Sequence, residues 1–535
     1  VGNEGDLNLI DALEFLGQDR QTRAIALYIE GIRDGRRFIE TAQKITPYKP
    51  VVAQYVGGTA AGARAGASHT GAMAGPDEVY DGILKQAGII RVHSVEELYG
   101  HGWTLATQPP LQGRRIAVLT NSGGPGTAMS HTANAGGLEV PPFSKQLQDK
   151  IRALIPPHAS CGNPVDLTFH LDTRLLSLTI PELVMSSGEV DGVLLHGAMG
   201  SGFMRAVYPH VSELFPGLTE EQFLELFRED LSENVALPVK YGKPLIISSF
   251  FDHEDDYTAA YQAANIPVFD APEKAARAML ALLRYSEISR RKKIVPPLLP
   301  ERAAEADRII NEAVSSGRKN LDEYESKRLL AAYNFPVSRE RRAGSEAEAA
   351  AAAAELGYPV VVKACHHTLP HKTGRGLIFL NIRDESSLLQ AYRAVQEAAG
   401  PGLPVLVSEM VQGNREFTAG VTRQPGFGPC VMFGLGGIFT EALQDAAFRA
   451  APLSETEAEE LLFSLRAAAL LGPFRGMPAV DAAALVKLLQ QLSFIPLLHP
   501  QIRELDLNPI LIRGHAPVVV DALAVLDGAR HSPAR

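Results

Sequence analysis

Arg115-Ile116-Ala117-Val118-Leu119-Thr120, running into Asn121-Ser122-Gly123-Gly124-Pro125-Gly126, sets the architecture. An apolar run that breaks into glycines reads as a buried strand and a turn, and Thr127 to Ala135 after it reads as a helix. The rhythm recurs on both sides. Upstream, Ala24 to Ile29 is an apolar strand, Gly35 to Gln43 a helix and Pro50 to Gln54 the next strand. Downstream, Val190 to Leu195 and Lys243 to Ser248 are strands, and Glu273 to Tyr285 is a closing helix. Apolar strands alternating with helices are the βαβ order of a parallel sheet covered on both faces.

The chain has 535 residues, a length for three or four domains at about 150 residues each. Its net charge of −10 excludes a broad nucleic-acid-binding surface, and 46% hydrophobic against 21% charged residues excludes disorder as the main state. Cys161, Cys365 and Cys430 stand far apart, with no paired spacing for zinc or a disulfide framework. No run of 18 apolar residues occurs, and the opening Val1-Gly2-Asn3-Glu4 is polar and lacks an initiator Met. The expectation is a cytoplasmic protein in a reducing compartment, with no membrane partner.

Arg290 to Pro300 combines four basic residues with prolines and reads as a solvated linker. Asp322 to Tyr333 is the first helix of a further unit. Ser345 caps the alanine-rich helix after it, with Glu348 completing a capping box and Gly357 ending it. Tyr358 to Lys363 is a strand that ends in a lysine. Between Leu195 and Val239, a long insertion carries Phe203, Tyr208, Phe215, Phe223 and Phe227, and reads as a cover for the sheet or a wall of a substrate pocket.

Three groups of residues are equipped for chemistry. His69 stands in Ser68-His69-Thr70-Gly71-Ala72, among small residues that let backbone N–H groups approach an anion. An imidazole there is either a phosphate carrier or a hydrogen-bonded loop histidine. Glu30 closes the strand Tyr28-Ile29, where side chains of a parallel sheet face the ligand crevice, and reads as a partner for a cationic histidine or as an exposed acid. The third group is an ordered series. Lys363 ends its strand, and Pro370-His371-Lys372-Thr373-Gly374-Arg375-Gly376 is a basic glycine-rich loop. Ser408-Glu409-Met410 follows a strand, and Glu504-Leu505-Asp506-Leu507-Asn508-Pro509 closes the series. Lysine and a glycine-rich loop suit nucleotide phosphates, and Asp-x-Asn puts two oxygen donors for Mg²⁺ on one strand face. Asp521 is a further acid nearby in sequence.

That series resembles an ATP-grasp domain, and the chain as a whole resembles the NDP-forming acyl-CoA synthetases, the superfamily of succinyl-CoA synthetase and ADP-forming acetyl-CoA synthetase. Gly2-Asn3-Glu4, Leu27 to Gly31 and Ser68 to Ala72 match the family's ligase domain. Asn121 to Gly126 and Asn163-Pro164-Val165-Asp166-Leu167 match its second flavodoxin-like domain. His371-Lys372-Thr373, Phe427-Gly428-Pro429, Gly434 to Gly437, Arg475-Gly476 and Glu504 to Pro509 match its ATP-grasp part. The resemblance implies an α/β fold: two flavodoxin-like parallel-sheet domains followed by an ATP-grasp domain. The expected divisions are 1–110 for the ligase domain with the phosphohistidine loop, 111–289 for the second flavodoxin-like domain, 290–315 for a linker and 316–535 for the ATP-grasp domain.

The resemblance also implies a reaction. A carboxylic acid, coenzyme A and ATP give acyl-CoA, ADP and phosphate, through an acyl phosphate and a phosphohistidine. His69 matches the phosphorylated residue, Glu30 the acid that steadies it and His371 a second relay histidine. Lys363 and Lys372 match the nucleotide-phosphate lysines, and Glu409 and Met410 the adenine hinge. Asn508 and Asp521 match the Mg²⁺ ligands, with Asp506 close by. Family members are commonly dimers, so a homodimer is expected. The family's N-terminal CoA-binding domain, which precedes the Gly2-Asn3-Glu4 motif, is not in this sequence; either the N-terminal part is missing or the CoA site is lost, and truncation is the expectation. A non-catalytic synthetase-like module and an ATP-grasp carboxylate–amine ligase are the competing readings.

Overall fold

Strand β1 (Ile25–Ile29) pairs in parallel with β2 (Val51–Tyr55), and β2 with β3 (Ile90–Val92). The computed structural model describes residues 4, 6–61, 75–168, 170, 172–197, 200–226, 228, 230–251, 255–368, 376–400, 402–437, 443 and 445–527. By contact the chain divides into two units. One holds residues 1–30, 40–56 and 87–291; the other holds 31–39, 57–86 and 292–535.

The first unit contains that three-stranded sheet and a five-stranded parallel sheet. Its strands are β4 (Ile116–Thr120), β5 (Val165–Asp166), β6 (Gly192–His196), β7 (Leu245–Ser248) and β8 (Val268–Phe269), in the order β5-β4-β6-β7-β8. This is the doubly wound order of flavodoxin-like folds. The period-two alternation of a strand sorts its residues between two cores. Ala117, Leu119, Val193, Leu195, Leu245 and Ile247 join one cluster, and Ile116, Val118, Leu194 and Ile246 the other. Both faces are thus covered, which is why the strands read as unbroken apolar runs.

The turn expected over Asn121 to Gly126 is shorter than that. Helix Gly123–Ala135 begins inside it, with Pro125 in the first turn, where a missing N–H costs no helical hydrogen bond. In the long insertion, Tyr208 and Phe215 pack on Phe223 with ring centroids 5.2 and 5.3 Å away, a small aromatic cluster of its own.

The second unit contains two antiparallel sheets. The smaller runs β11-β10-β12-β9, from β9 (Glu340–Ala343), β10 (Val360–Ala364), β11 (Ile378–Ile382) and β12 (Val405–Glu409). The larger runs β15-β14-β13-β16-β17, with β18 also on β16. Its strands are β13 (Glu416–Gln424), β14 (Gly428–Leu435), β15 (Ala446–Ala450), β16 (Ile502–Arg513), β17 (Ala516–Val519) and β18 (Ala522–Leu526). Helix Ala304–Ser315 forms the end of the segment read as a linker, because Ala306, Ile309, Ile310 and Ala313 make one apolar stripe that joins the larger core. Ser345 caps its helix as expected, but Glu348 reaches back to the N–H of Gly344 and not to that of Ser345. Among the described residues no helix is long and apolar enough to cross a membrane.

Candidate active site

Lys363 sits in β10 behind three valines and is itself buried. Its ammonium donates to Glu323 Oε1 at 2.7 Å and to the Val520 carbonyl at 3.3 Å, and it pairs with Asp521 Oδ2 at 3.4 Å. Burial by itself would discharge this group. The carboxylates of Glu323 and Asp521 outweigh it and raise the Lys363 pKa, so the cation is retained.

Asn508 reaches the same place through a fault in β16. Leu507 faces Ala419 and Ile510 faces Phe417, so Asn508 and Pro509 together oppose one residue, Thr418, as a β-bulge. At this point β17 ends opposite Ile510 and β18 starts opposite Leu507. Val520 and Asp521 therefore leave the ladder beside the bulge, and the Asn508 N–H donates to the Asp521 carbonyl at 3.3 Å. Leu505 and Leu507 are buried, whereas Asp506 is half-buried and Asn508 exposed, as the Asp-x-Asn alternation predicts. Exposed Asn508 and half-buried Asp521, joined through their backbones, are of the oxygen-bearing kind that Mg²⁺ takes one or two of, completing its shell with phosphate and water. Among the described residues no three His, Cys, Asp or Glu side chains form a metal cage.

Glu409 ends β12 in an arginine clamp. Its carboxylate accepts the Arg339 backbone N–H at 3.0 Å and both guanidinium donors at 3.2 Å, and Arg513 stands 3.5 Å away. The acid is thus committed to protein partners. The Met410 N–H donates to the Pro359 carbonyl at 3.2 Å.

Glu30 follows β1 directly and is half-buried. His69, His371 and Lys372 lie outside the described residues. The helix that follows the His69 segment is anchored in the second unit. In helix Asp77–Gln86, the Tyr80 hydroxyl accepts the Ile32 N–H at 3.0 Å and its ring meets Phe427 edge-on at 5.1 Å. Gly82 lies so close to β15 that a Cβ there would stand 2.1 Å from the Phe448 carbonyl oxygen. Gln86 exchanges two hydrogen bonds with the Ala450 backbone, at 2.7 and 3.0 Å, and donates to Glu457 at 2.9 Å. The Gly35 N–H donates to the Gly426 carbonyl at 2.6 Å.

The chain matches an ATP-grasp domain model over residues 312–526 and a succinyl-CoA ligase-like flavodoxin domain model over 1–104. It is 30% identical to the 4-hydroxybutyrate–CoA ligase [ADP-forming] of Nitrosopumilus maritimus, over 96% of this chain and 71% of that protein. It is 31% identical to the acetate–CoA ligase [ADP-forming] I of Archaeoglobus fulgidus, over 98% of this chain and 73% of that protein. The chain belongs to the ADP-forming acyl-CoA synthetase family. Among solved structures, the dinucleotide-forming acetyl-coenzyme A synthetase 1 of Ca. Korarchaeum cryptofilum is 37% identical. It aligns over 42% of this chain and 100% of its own, with a TM-score of 0.41.

As an ADP-forming acyl-CoA synthetase, this protein is an acid–thiol ligase. Sequence reading of the synthetase missed three charged residues that structure adds to the Lys363 site: Glu323, Lys327 and Glu340, all buried. Glu323 and Lys327 are four apart on helix Glu323–Ala332, the spacing of an ordinary surface ion pair. Only the packing of that helix under β18 reveals that this pair is inside.

Proposed function

We propose that this synthetase joins a carboxylic acid to coenzyme A at the expense of ATP, with His69 as the phosphoryl carrier. The observation that supports it most is the assembly of Lys363, Asp521 and Asn508 in the unit that also holds helix Asp77–Gln86, which follows the His69 segment. In this reading the His69 imidazole attacks the γ-phosphorus of ATP in line and ADP leaves. Lys363 neutralises the phosphate charge from β10. Asn508 and Asp521 would hold Mg²⁺, with Asp506 nearby; when bound, the ion offsets charge on the phosphate oxygens. Lys372 adds a second cation from the glycine-rich loop, Glu409 and Met410 flank the base, and His371 serves as a relay histidine. Glu30 steadies the charged phosphohistidine ring.

The phosphoryl group then passes to the substrate carboxylate, giving an acyl phosphate and restoring the imidazole. The coenzyme A thiolate attacks the acyl carbon, and phosphate departs. Substrates are thus a carboxylic acid, coenzyme A and Mg-ATP. The divisions at 110, 289 and 315 are the proposed domain limits, and a homodimer in the cytoplasm the proposed state, in keeping with three free thiols.

Incubation with ATP labelled in the γ-phosphate is the test. Acid-labile label on the protein that disappears in His69→Ala supports the relay. ATP binding without label points to a non-catalytic module, and label on the carboxylate alone to a carboxylate–amine ligase. A panel of acids from acetate to an aromatic acid, assayed with coenzyme A, then assigns the substrate.

A further inference from the structure

Lys363 is not the only cation beneath the candidate phosphate site. The Lys327 ammonium, 2% exposed, lies 3.1 Å from Glu323 Oε1, the same oxygen that Lys363 holds at 2.7 Å. Both ammoniums also donate to the Val520 carbonyl, Lys327 at 3.0 Å and Lys363 at 3.3 Å. Two cations thus share two acceptors. On the far side, Lys327 pairs with Glu340 of β9 and donates to Ser338 Oγ at 3.1 Å. Glu340 Oε2 also accepts from Ser408 Oγ at 3.2 Å, while its Oε1 is buried with no hydrogen-bond partner among the described residues.

Stability does not account for this arrangement. Well-packed apolar side chains usually replace buried ion networks at no loss, and an unpaired buried carboxylate oxygen is a cost. Burial lifts the Glu340 carboxyl to about 7 even against the opposing pull of Lys327. A charge cluster that is costly to the fold and shares its atoms with Lys363 is better understood through what it does to Lys363.

We propose that Lys327 is a positioning residue for nucleotide phosphate: a second, buried cation that shares Glu323 and the Val520 carbonyl with Lys363 and so weakens their hold on the Lys363 ammonium, leaving more of its charge for the phosphates. The inference rests on the reading of Lys363 as the nucleotide lysine. Without Lys327, the full charge of Glu323 is left to Lys363 and holds its ammonium more tightly. With Lys327 in place, the shared carboxylate is already half neutralised, and a second positive charge stands behind the first. Glu340 holds Lys327 from the back.

The test uses the full chain and three variants: Lys327→Met, Lys327→Arg and the charge-balanced double variant Lys327→Met/Glu340→Gln. Thermal melting reports folding, equilibrium titration reports Mg-ATP affinity, and γ-phosphate labelling reports the maximal rate. The single Met variant is expected to lose stability, because it strands Glu340. The double variant is expected to melt close to the parent, yet to bind Mg-ATP about tenfold more weakly, with its labelling rate at saturation little changed. Lys327→Arg is expected to recover part of the affinity. Parental Mg-ATP affinity in the double variant overturns the proposal, since a purely structural lysine is fully replaced there. If the parent binds Mg-ATP but takes no label, the histidine relay fails while the affinity comparison still decides the role of Lys327. If Lys363→Met binds Mg-ATP like the parent, the premise fails and the inference with it.

Discussion

At the scale of single residues, Lys363, Asp521 and Asn508 of the proposed site differ in their degree of burial. Lys363 is almost fully enclosed and keeps its charge through the carboxylates around it, Glu323 first, then Asp521 and Glu340. Asn508 is exposed, and Asp521 is 27% exposed and keeps one face for solvent or ligand. Asp521→Asn is therefore expected to fold, because its main-chain bond with Asn508 survives. It is also expected to raise the Mg²⁺ concentration needed for half-maximal labelling by about tenfold, through loss of the anionic donor. Titrating Mg²⁺ at fixed ATP measures this, and an unchanged midpoint would remove Asp521 from the ion site. Glu409 shows how a residue type can be legible while its partner is not. Its place at the end of β12 follows from the apolar run Val405 to Val407. The Arg339 clamp on its carboxylate comes from the residue just before β9, 70 residues earlier in the chain.

At the scale of elements, two features carry the proposed site: the bulge in β16 and helix Asp77–Gln86. The bulge is invisible in composition. Asp-x-Asn-Pro reads as a strand with one polar face, and so it is, but the extra residue at Asn508–Pro509 appears only against Thr418 of β13. Helix Asp77–Gln86 is held by contacts that tolerate no added atom. Gly82→Ala places a methyl group 2.1 Å from the Phe448 carbonyl oxygen, and Gln86→Ala leaves the Ala450 N–H and C=O buried without their partner. Each is expected to cost on the order of 2 kcal/mol in chemical denaturation. Each is also expected to slow labelling at saturating ATP more than it changes ATP affinity, since the helix directly follows the His69 segment. Equal losses in rate and affinity would show that the helix only supports the fold.

At the scale of the whole molecule, pH exposes which buried groups the fold keeps neutral. His196, at the end of β6, lies 2.7 Å from Ser248 Oγ, and His101 is buried in helix Val95–Thr107. Burial lowers both pKa values to about 4. In the unfolded chain both rings take up a proton near 6.5, whereas the folded protein resists until about 4. Their stability contribution is thus complete above pH 6.5 and is lost as the pH falls toward 4, on the order of 3 kcal/mol for each ring. Melting curves across that window are expected to fall steeply for the parent and less steeply for His196→Gln. Parallel curves would mean that the ring is already protonated or already wet in the folded state.

Much of this protein is contained in its one-dimensional pattern. Unbroken apolar runs such as Ile116–Leu119 specify strands buried on both faces, and the glycine-rich breaks after them specify where the strands end. The order of Lys363, Glu409, Asp506-x-Asn508 and Asp521 names the nucleotide fold, because spacing along a strand decides which face a side chain takes. Other properties exist only in three dimensions. Helix Gly123–Ala135 starts inside the glycine-rich run, and the ion pair of Glu323 with Lys327 is inside because helix Glu323–Ala332 lies under β18. Gln86 matters because β15 presents an unpaired peptide to it. Local periodicity encodes burial and face, which neighbours in sequence share. The pairing of charges and backbone groups far apart in the chain is decided by contact, and no local pattern records it.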